Sequence, residues 1–130
     1  MKHLNSYETL LVWQKAHLLA LEIYKSTKNF PKEELFGITS QLRRGALSIP
    51  TNIAEGYARR NDNVFKTFLD IAYGSLVETK YLLGFSHAIN YLDANDFQRL
   101  SALAEEVGVL VWKFEETIEQ RRTSPGIRSQ

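Results

Sequence analysis

Cysteine is absent from this chain of 130 residues, methionine occurs once and proline three times. Without cysteine there can be no disulfide, no thiolate metal site and no cysteine nucleophile, a pattern compatible with the cytoplasm. A membrane-spanning helix needs a run of about 18 or more apolar residues, and none exists. The opening segment MKHLNSYETLLVWQK breaks its apolar stretch with Gln14 and Lys15, so no signal peptide is expected. Together these absences predict a single cytoplasmic domain of ordinary soluble composition, 44% hydrophobic, large enough to bury its own core.

Charge of one sign is also lacking overall, with 16 basic against 15 acidic side chains. Divided by position, the balance changes. Residues 1–61 carry nine basic and five acidic side chains, a net +4, whereas residues 62–130 carry seven and ten, a net −3. The first half therefore suits an anionic partner.

Catalytic and metal-binding constellations are missing as well. His3, His17 and His87 are scattered, and no Glu-x-x-His pair of the kind that holds metals in helical bundles occurs. Glu33-Glu34, Glu105-Glu106 and Glu115-Glu116 are neighbours in sequence, and on a helix such neighbours point about 100° apart, so they form no catalytic dyad. Neither a phosphate-binding glycine loop nor a nucleophile elbow is present. The expectation is a protein without enzymatic activity, metal or cofactor.

What is present is helical periodicity. Apolar residues recur at steps of three and four through four segments. The first is expected from near Asn5, where Asn5 and Glu8 have capping-box spacing, to Lys28, with Val12 or Trp13, Ala16, Leu19 or Ala20, Ile23 and Thr27 facing inward. The second is expected to start just after Pro31, with a seam of Leu35, Ile38, Leu42, Ala46, Ile49 and Ile53. That seam runs in register across Pro50, which predicts one helix kinked there. The third, from about Asn63 to Ile89, is expected to be capped by Asn61 or Asp62 and to bury Phe65, Phe68, Leu69, Ala72, Leu76, Leu82 and Leu83. Its small residues Gly74, Ser75 and Gly84 suit close approach by a neighbour. The fourth carries Phe97, Leu100, Ala104, Val107, Val111, Phe114 and Ile118 in a heptad-like seam and ends at Thr123-Ser124-Pro125-Gly126. Helices of this length joined by short connections predict an all-α, up-down-up-down antiparallel four-helix bundle over residues 1–122, with a disordered tail over 123–130.

Two stretches call for more than packing. Between Gln41 and Arg60 an apolar seam is mixed with small, amide and charged residues, and an arginine pair stands near each end. A structural role is expected for Arg44, ion-paired to Glu78 of the third helix, with Gln41 and Asn52 tying helix to helix and Glu55 in the same group. Arg43, Arg59, Arg60 and Lys66 are the candidates for phosphate contact, helped by Lys15 and Lys25. On the first helix, Leu11 and Leu18 share a stripe with Lys15, Glu22 and Lys25, and Leu10 and Leu21 widen it. A monomer could not bury all of these leucines, so a subunit interface is expected to cover Leu11 and Leu18.

Five blocks carry a resemblance: Val-Trp-Gln-Lys-Ala at 12–16, Phe-Pro-Lys-x-Glu at 30–34, Gln-Leu-Arg-Arg at 41–44, Ser-Ile-Pro-x-Asn-Ile-Ala-Glu-Gly at 48–56 and Gly-Ser-Leu-x-Glu at 74–78. Through them the chain resembles the four-helix-bundle family encoded in the intervening sequences of bacterial 23S ribosomal RNA genes, with Gly45 standing where that family commonly has alanine. Members in turn are similar to accessory proteins of diversity-generating retroelements. The resemblance implies a homopentamer that binds RNA or DNA and has a reverse transcriptase or another protein as partner, with no membrane role. The competing expectation is a structural or adaptor protein that recognises another protein through the same oligomeric surface, with Tyr57 and the nearby arginines as anchors.

Overall fold

The computed structural model describes residues 6–123. Among them are four α-helices and no strand: α1 (Leu11–Thr27), α2 (Ile38–Ala58), α3 (Asp62–Ala88) and α4 (Ala94–Thr123). The expected cap at Asn5 and all but the first residue of the expected tail over 123–130 lie outside the described residues.

Helix α1 begins later than its periodicity predicts. Ser6 Oγ accepts a hydrogen bond from the Glu8 backbone N–H (3.2 Å) and starts a 3-10 turn over Tyr7–Thr9, after which Leu10 is extended. The Gln14 side chain then donates to the Glu8 carbonyl (2.9 Å), and the Tyr7 ring meets Trp13 edge-on at 4.9 Å. At its far end, Thr27 Oγ1 donates to the Ile23 carbonyl and the chain leaves the helix before Pro31.

A second 3-10 turn, Lys32–Glu34, occupies the place where α2 was expected to start. Leu35 therefore belongs to the connection, exposed, and the α2 seam begins at Ile38. Pro50 sits buried inside the helix. The Thr51 hydroxyl and the Asn52 amide donate to the carbonyls of Leu47 and Ser48, each at 2.8 Å. These are the two carbonyls next to that of Ala46, which the proline ring leaves without its usual donor. Asn61 caps α3, its side chain accepting from Val64 N–H at 3.1 Å, and Asp93 does the same for Asp96 N–H before α4 at 2.8 Å.

Each helix packs on its neighbours in sequence, and α1 also packs on α4. The diagonal pairs make no close backbone approach. The shared core contains Leu19, Ile23, Leu42, Ile49, Ile53, Leu69, Leu76, Leu83, Leu100 and Ile118, all sealed from solvent. The α2–α3 contact is the most extensive, and near the end of α2 a glycine permits its closest approach. A Cβ on Gly56 would lie 2.5 Å from Phe68 Cβ, so the two backbones can come this close only where α2 has no side chain. Of the three small residues expected to permit close approach, Ser75 does meet Ser48 of α2, whereas Gly74 and Gly84 have no such neighbour among the described residues. A Cβ at either position would meet nothing within 4 Å.

Candidate nucleic-acid interface at the second interhelical corner

Consecutive helical residues point about 100° apart, so the two arginines of an adjacent pair face different neighbours. At Arg43-Arg44 this exchanges the expected roles. Arg43 turns toward α1: its Nε donates to Thr27 Oγ1 (2.8 Å), its guanidinium reaches the Tyr24 carbonyl (3.3 Å), and it lies 4.8 Å above the Tyr24 ring. Two of its donors thus hold α2 against α1. Arg44 is exposed, and no ion pair with Glu78 forms. The two instead line one shallow polar cavity with Gln41, Gly45, Ser48 and Ser75.

The expected tie between α2 and α3 passes through a serine that sequence reasoning did not single out for it. Ser48 Oγ and Ser75 Oγ are 2.9 Å apart, and Asn52 Nδ2 donates to Ser48 Oγ at 2.9 Å. Asn52 thus supports the link from within its own helix. Gln41 and Glu55 are exposed, with no side-chain hydrogen bond among the described residues.

Three of the candidate phosphate contacts are paired with carboxylates. Lys15 lies 3.3 Å from Glu106, Lys25 lies 3.5 Å from Glu22, and Lys66 lies 3.6 Å from Glu119. Exposed pairs of this kind are worth about 0–1 kcal/mol, so they can open, yet each partner cancels positive potential where a phosphate would sit. Arg59 and Arg60 differ. Both are exposed at the end of α2, and neither has a carboxylate within ion-pair distance among the described residues. Arg59 stacks 5.3 Å from the Phe68 ring, an arrangement that orients the guanidinium without neutralising it. Arg60 has left-handed backbone, with φ 54°.

Beneath this corner lies a cavity of about 400 Å³ that the sequence did not reveal. Tyr57 of α2, Phe65 of α3 and Phe114 of α4 form its aromatic wall, in successive edge-on contacts at 5.6 and 5.1 Å. Leu10 and Arg60 complete the rim. Asp62 and Arg121 face one another across α3 and α4 in a two-pronged ion pair, at 3.0 and 3.3 Å. The aromatic residues come from three helices, which is why no local pattern announced them.

One turn along α3, the Glu115 carboxyl of α4 is held near Asp70. Burial is the main cause that raises its pKa to about 7, with the hydrogen bond to Asp70 and that residue's negative charge adding to it and Lys66 opposing. One Glu115 oxygen is buried without a partner among the described residues. No group of three or more His, Asp or Glu among the described residues has the geometry to hold a metal ion.

Leu11 and Leu18 are exposed, at 53% and 41%, along with Leu21 on the same helix. A second apolar surface was not foreseen: Tyr73 and Val77 of α3 meet Val109 and Trp112 of α4 around a shallow groove floored by Leu76 and Gly108. Its signal in the sequence is that α3 is apolar on its outer side as well as along its seam. No described helix is long and apolar enough to cross a membrane.

An all-α four-helix bundle with a polar seam between α2 and α3 is the class of molecule these contacts define. Residues 8–113 match the model of the 23S rRNA-intervening sequence protein family, and the chain belongs to that family. A crystal structure of a protein of unknown function from the S23 ribosomal protein family of Bacteroides thetaiotaomicron has the same fold. It superimposes with a TM-score of 0.73 at 24% identity, over 81% of this chain and 98% of that one. No curated protein matches the chain.

Proposed function

We propose that this protein is a cytoplasmic, non-enzymatic homo-oligomer that binds RNA or DNA through the corner between α2 and α3, with Arg59 and Arg60 on the phosphates. The observation that carries this reading is the pairing pattern: Lys15, Lys25 and Lys66 each have a carboxylate partner, whereas these two adjacent arginines at a projecting corner do not. Guanidinium groups suit phosphate because their planar donors can engage two oxygens together. Oligomerisation is supported by the exposed leucines of α1 and by the apolar α3–α4 groove, and five copies is the number implied by likeness to retroelement accessory proteins. In an assembly, a corner of modest charge is repeated and its weak contacts act together.

Salt dependence of binding tests the reading. Affinity of the full chain for a short RNA should fall steeply with salt, and the Arg59→Ala/Arg60→Ala chain should bind more weakly, with a salt slope smaller by about one per lost contact. Binding that is absent at low salt, or unchanged in the double variant, defeats it. The apolar α3–α4 groove also favours a second reading, an adaptor that docks on another protein such as a reverse transcriptase. Nuclease-resistant co-purification with one defined protein, lost in Trp112→Glu, would select that reading.

A further inference from the structure

We infer that the cavity rimmed by Arg60 is a nucleotide pocket, which takes one unpaired base against its aromatic wall while Arg60, with Arg59 next to it in the chain, holds the adjoining phosphate. This rests on the phosphate-binding reading of the corner and adds a base-recognition site to it. Four observations converge. The cavity, at about 400 Å³, lies in the lower part of the range for small-ligand sites, about 300–1,000 Å³, which suits a single ring system rather than an extended chain.

Its wall is aromatic and accessible. Phe65 is buried at 4% exposure and closes the back, while Tyr57 and Phe114 are only partly covered and so leave ring surface open to the cavity. Every base has a face that stacks on such rings, irrespective of sequence. The Asp62–Arg121 pair places a carboxylate acceptor beside guanidinium donors in the lining of the same cavity. The hydrogen-bonding edge of a base carries donors and acceptors side by side, and this pair offers the complement of both.

The fourth observation is the backbone of Arg60. A left-handed position at the end of a helix is commonly filled by glycine, because any side chain with a Cβ is crowded there. Here the position at φ 54° is held by an arginine on the cavity rim. Strain of this sort is characteristic of ligand clamps. Aromatic wall, carboxylate–guanidinium pair and unpaired arginine thus line one cavity, and they match the base face, base edge and phosphate of a nucleotide.

The ligand could be a free nucleotide or an unpaired residue of a strand, and one experiment on the full chain separates these. A twelve-nucleotide unstructured RNA bearing 5-iodouridine is bound and irradiated, and the crosslinked residues are mapped by mass spectrometry. In parallel, its affinity is compared with that of a blunt duplex of equal phosphate number. The pocket predicts crosslinks on Tyr57 or Phe114 and a single-strand preference of about tenfold. Uridine 5′-monophosphate that suppresses the crosslink at millimolar concentration identifies the free nucleotide as a ligand, and failure to suppress it identifies the strand. Tyr57→Phe should keep the single-strand preference and Tyr57→Ala should lose it; should Tyr57→Ala not fold, the crosslink map decides alone. Crosslinks confined to residues outside the cavity, or a duplex bound as tightly as the single strand, overturn the pocket. If that duplex binding still depends on Arg59 and Arg60, the phosphate reading survives without it. If Tyr57 is crosslinked yet the double arginine variant binds as before, the pocket survives and the arginine reading fails.

Discussion

Two corners of the bundle turn through a left-handed residue, Arg60 between α2 and α3 and Asn90 between α3 and α4, with φ of 54° and 67°. Asparagine tolerates this conformation well, and the chain around Asn90 uses it to close a cap. The N–H groups of Tyr91 and Leu92 both reach the Ser86 carbonyl, at 2.9 and 3.2 Å, and Leu92 is buried. The Tyr91 hydroxyl donates to Glu34 at 2.9 Å and its ring packs on Phe30. His87 stacks on Phe97 at 4.5 Å, its Nδ1 3.0 Å from the Leu92 carbonyl. Ser86, His87, Tyr91 and Leu92 at that corner are thus each tied to the surrounding fold. At the other corner the residue is an arginine with no carboxylate partner, and the space beneath it is an open cavity. A bundle built only for stability would place glycine there and fill the cavity, and this contrast is what the proposed binding role of the Arg60 corner accounts for.

The sharpest way to break this contrast is to disturb the helix contact that positions the open corner. Gly56→Ala forces a methyl against Phe68 and Phe65, with the nearest approach to a Cβ that cannot swing away. It should destabilise the chain by about 3 kcal/mol, the upper part of the range for overpacking, read as a lower urea midpoint. Gly74→Ala, where the added methyl meets nothing, should gain up to about 1 kcal/mol from helix propensity.

Next in size is the carboxyl near the open end. Glu115 ionises at about 7 in the fold against 4.5 ordinarily, so the folded state holds the proton more tightly. Its presence therefore costs nothing below pH 4.5, and the cost grows as pH rises to 7 and stays level above. Glu115→Gln should raise stability above pH 7 by about 1–2 kcal/mol, after allowance for solvent screening of a partly exposed group, and leave it unchanged at pH 4. Stability curves of the two chains that run parallel across this window would contradict the assignment.

Smallest, and most directed at the comparison, is the exchange of each corner residue for glycine. Arg60→Gly should stabilise by about 1 kcal/mol because it removes the left-handed penalty, whereas Asn90→Gly should change stability by a few tenths, since asparagine already suits the position. Equal effects at both corners would show that Arg60 bears no special strain.

Much of the fold was legible. The seams of α1, α3 and α4, the Asn61 cap and the continuity of α2 through Pro50 follow from periodicity and capping chemistry, which are local. The 3-10 turns were not legible, because Leu10 and Leu35 keep the apolar rhythm while the backbone leaves the helix around them. The candidate site was read only in part. Arg59 and Arg60 were named from sequence, but the division of labour between Arg43 and Arg44 depends on which neighbour lies on each side of α2. The partners of Lys15 and Lys66 on α4 depend on interhelical register. Neither quantity is encoded within a single segment, and the cavity, walled by three helices and rimmed by Leu10, is the extreme case.

The most direct test of the central claim is the affinity of Arg60→Gly for a single-stranded RNA at low salt, with Asn90→Gly as the reference. The functional corner predicts weaker binding and a salt slope smaller by about one for Arg60→Gly, with Asn90→Gly like the parent. An Arg60→Gly chain that binds RNA as tightly as Asn90→Gly, with the same salt slope, would contradict it.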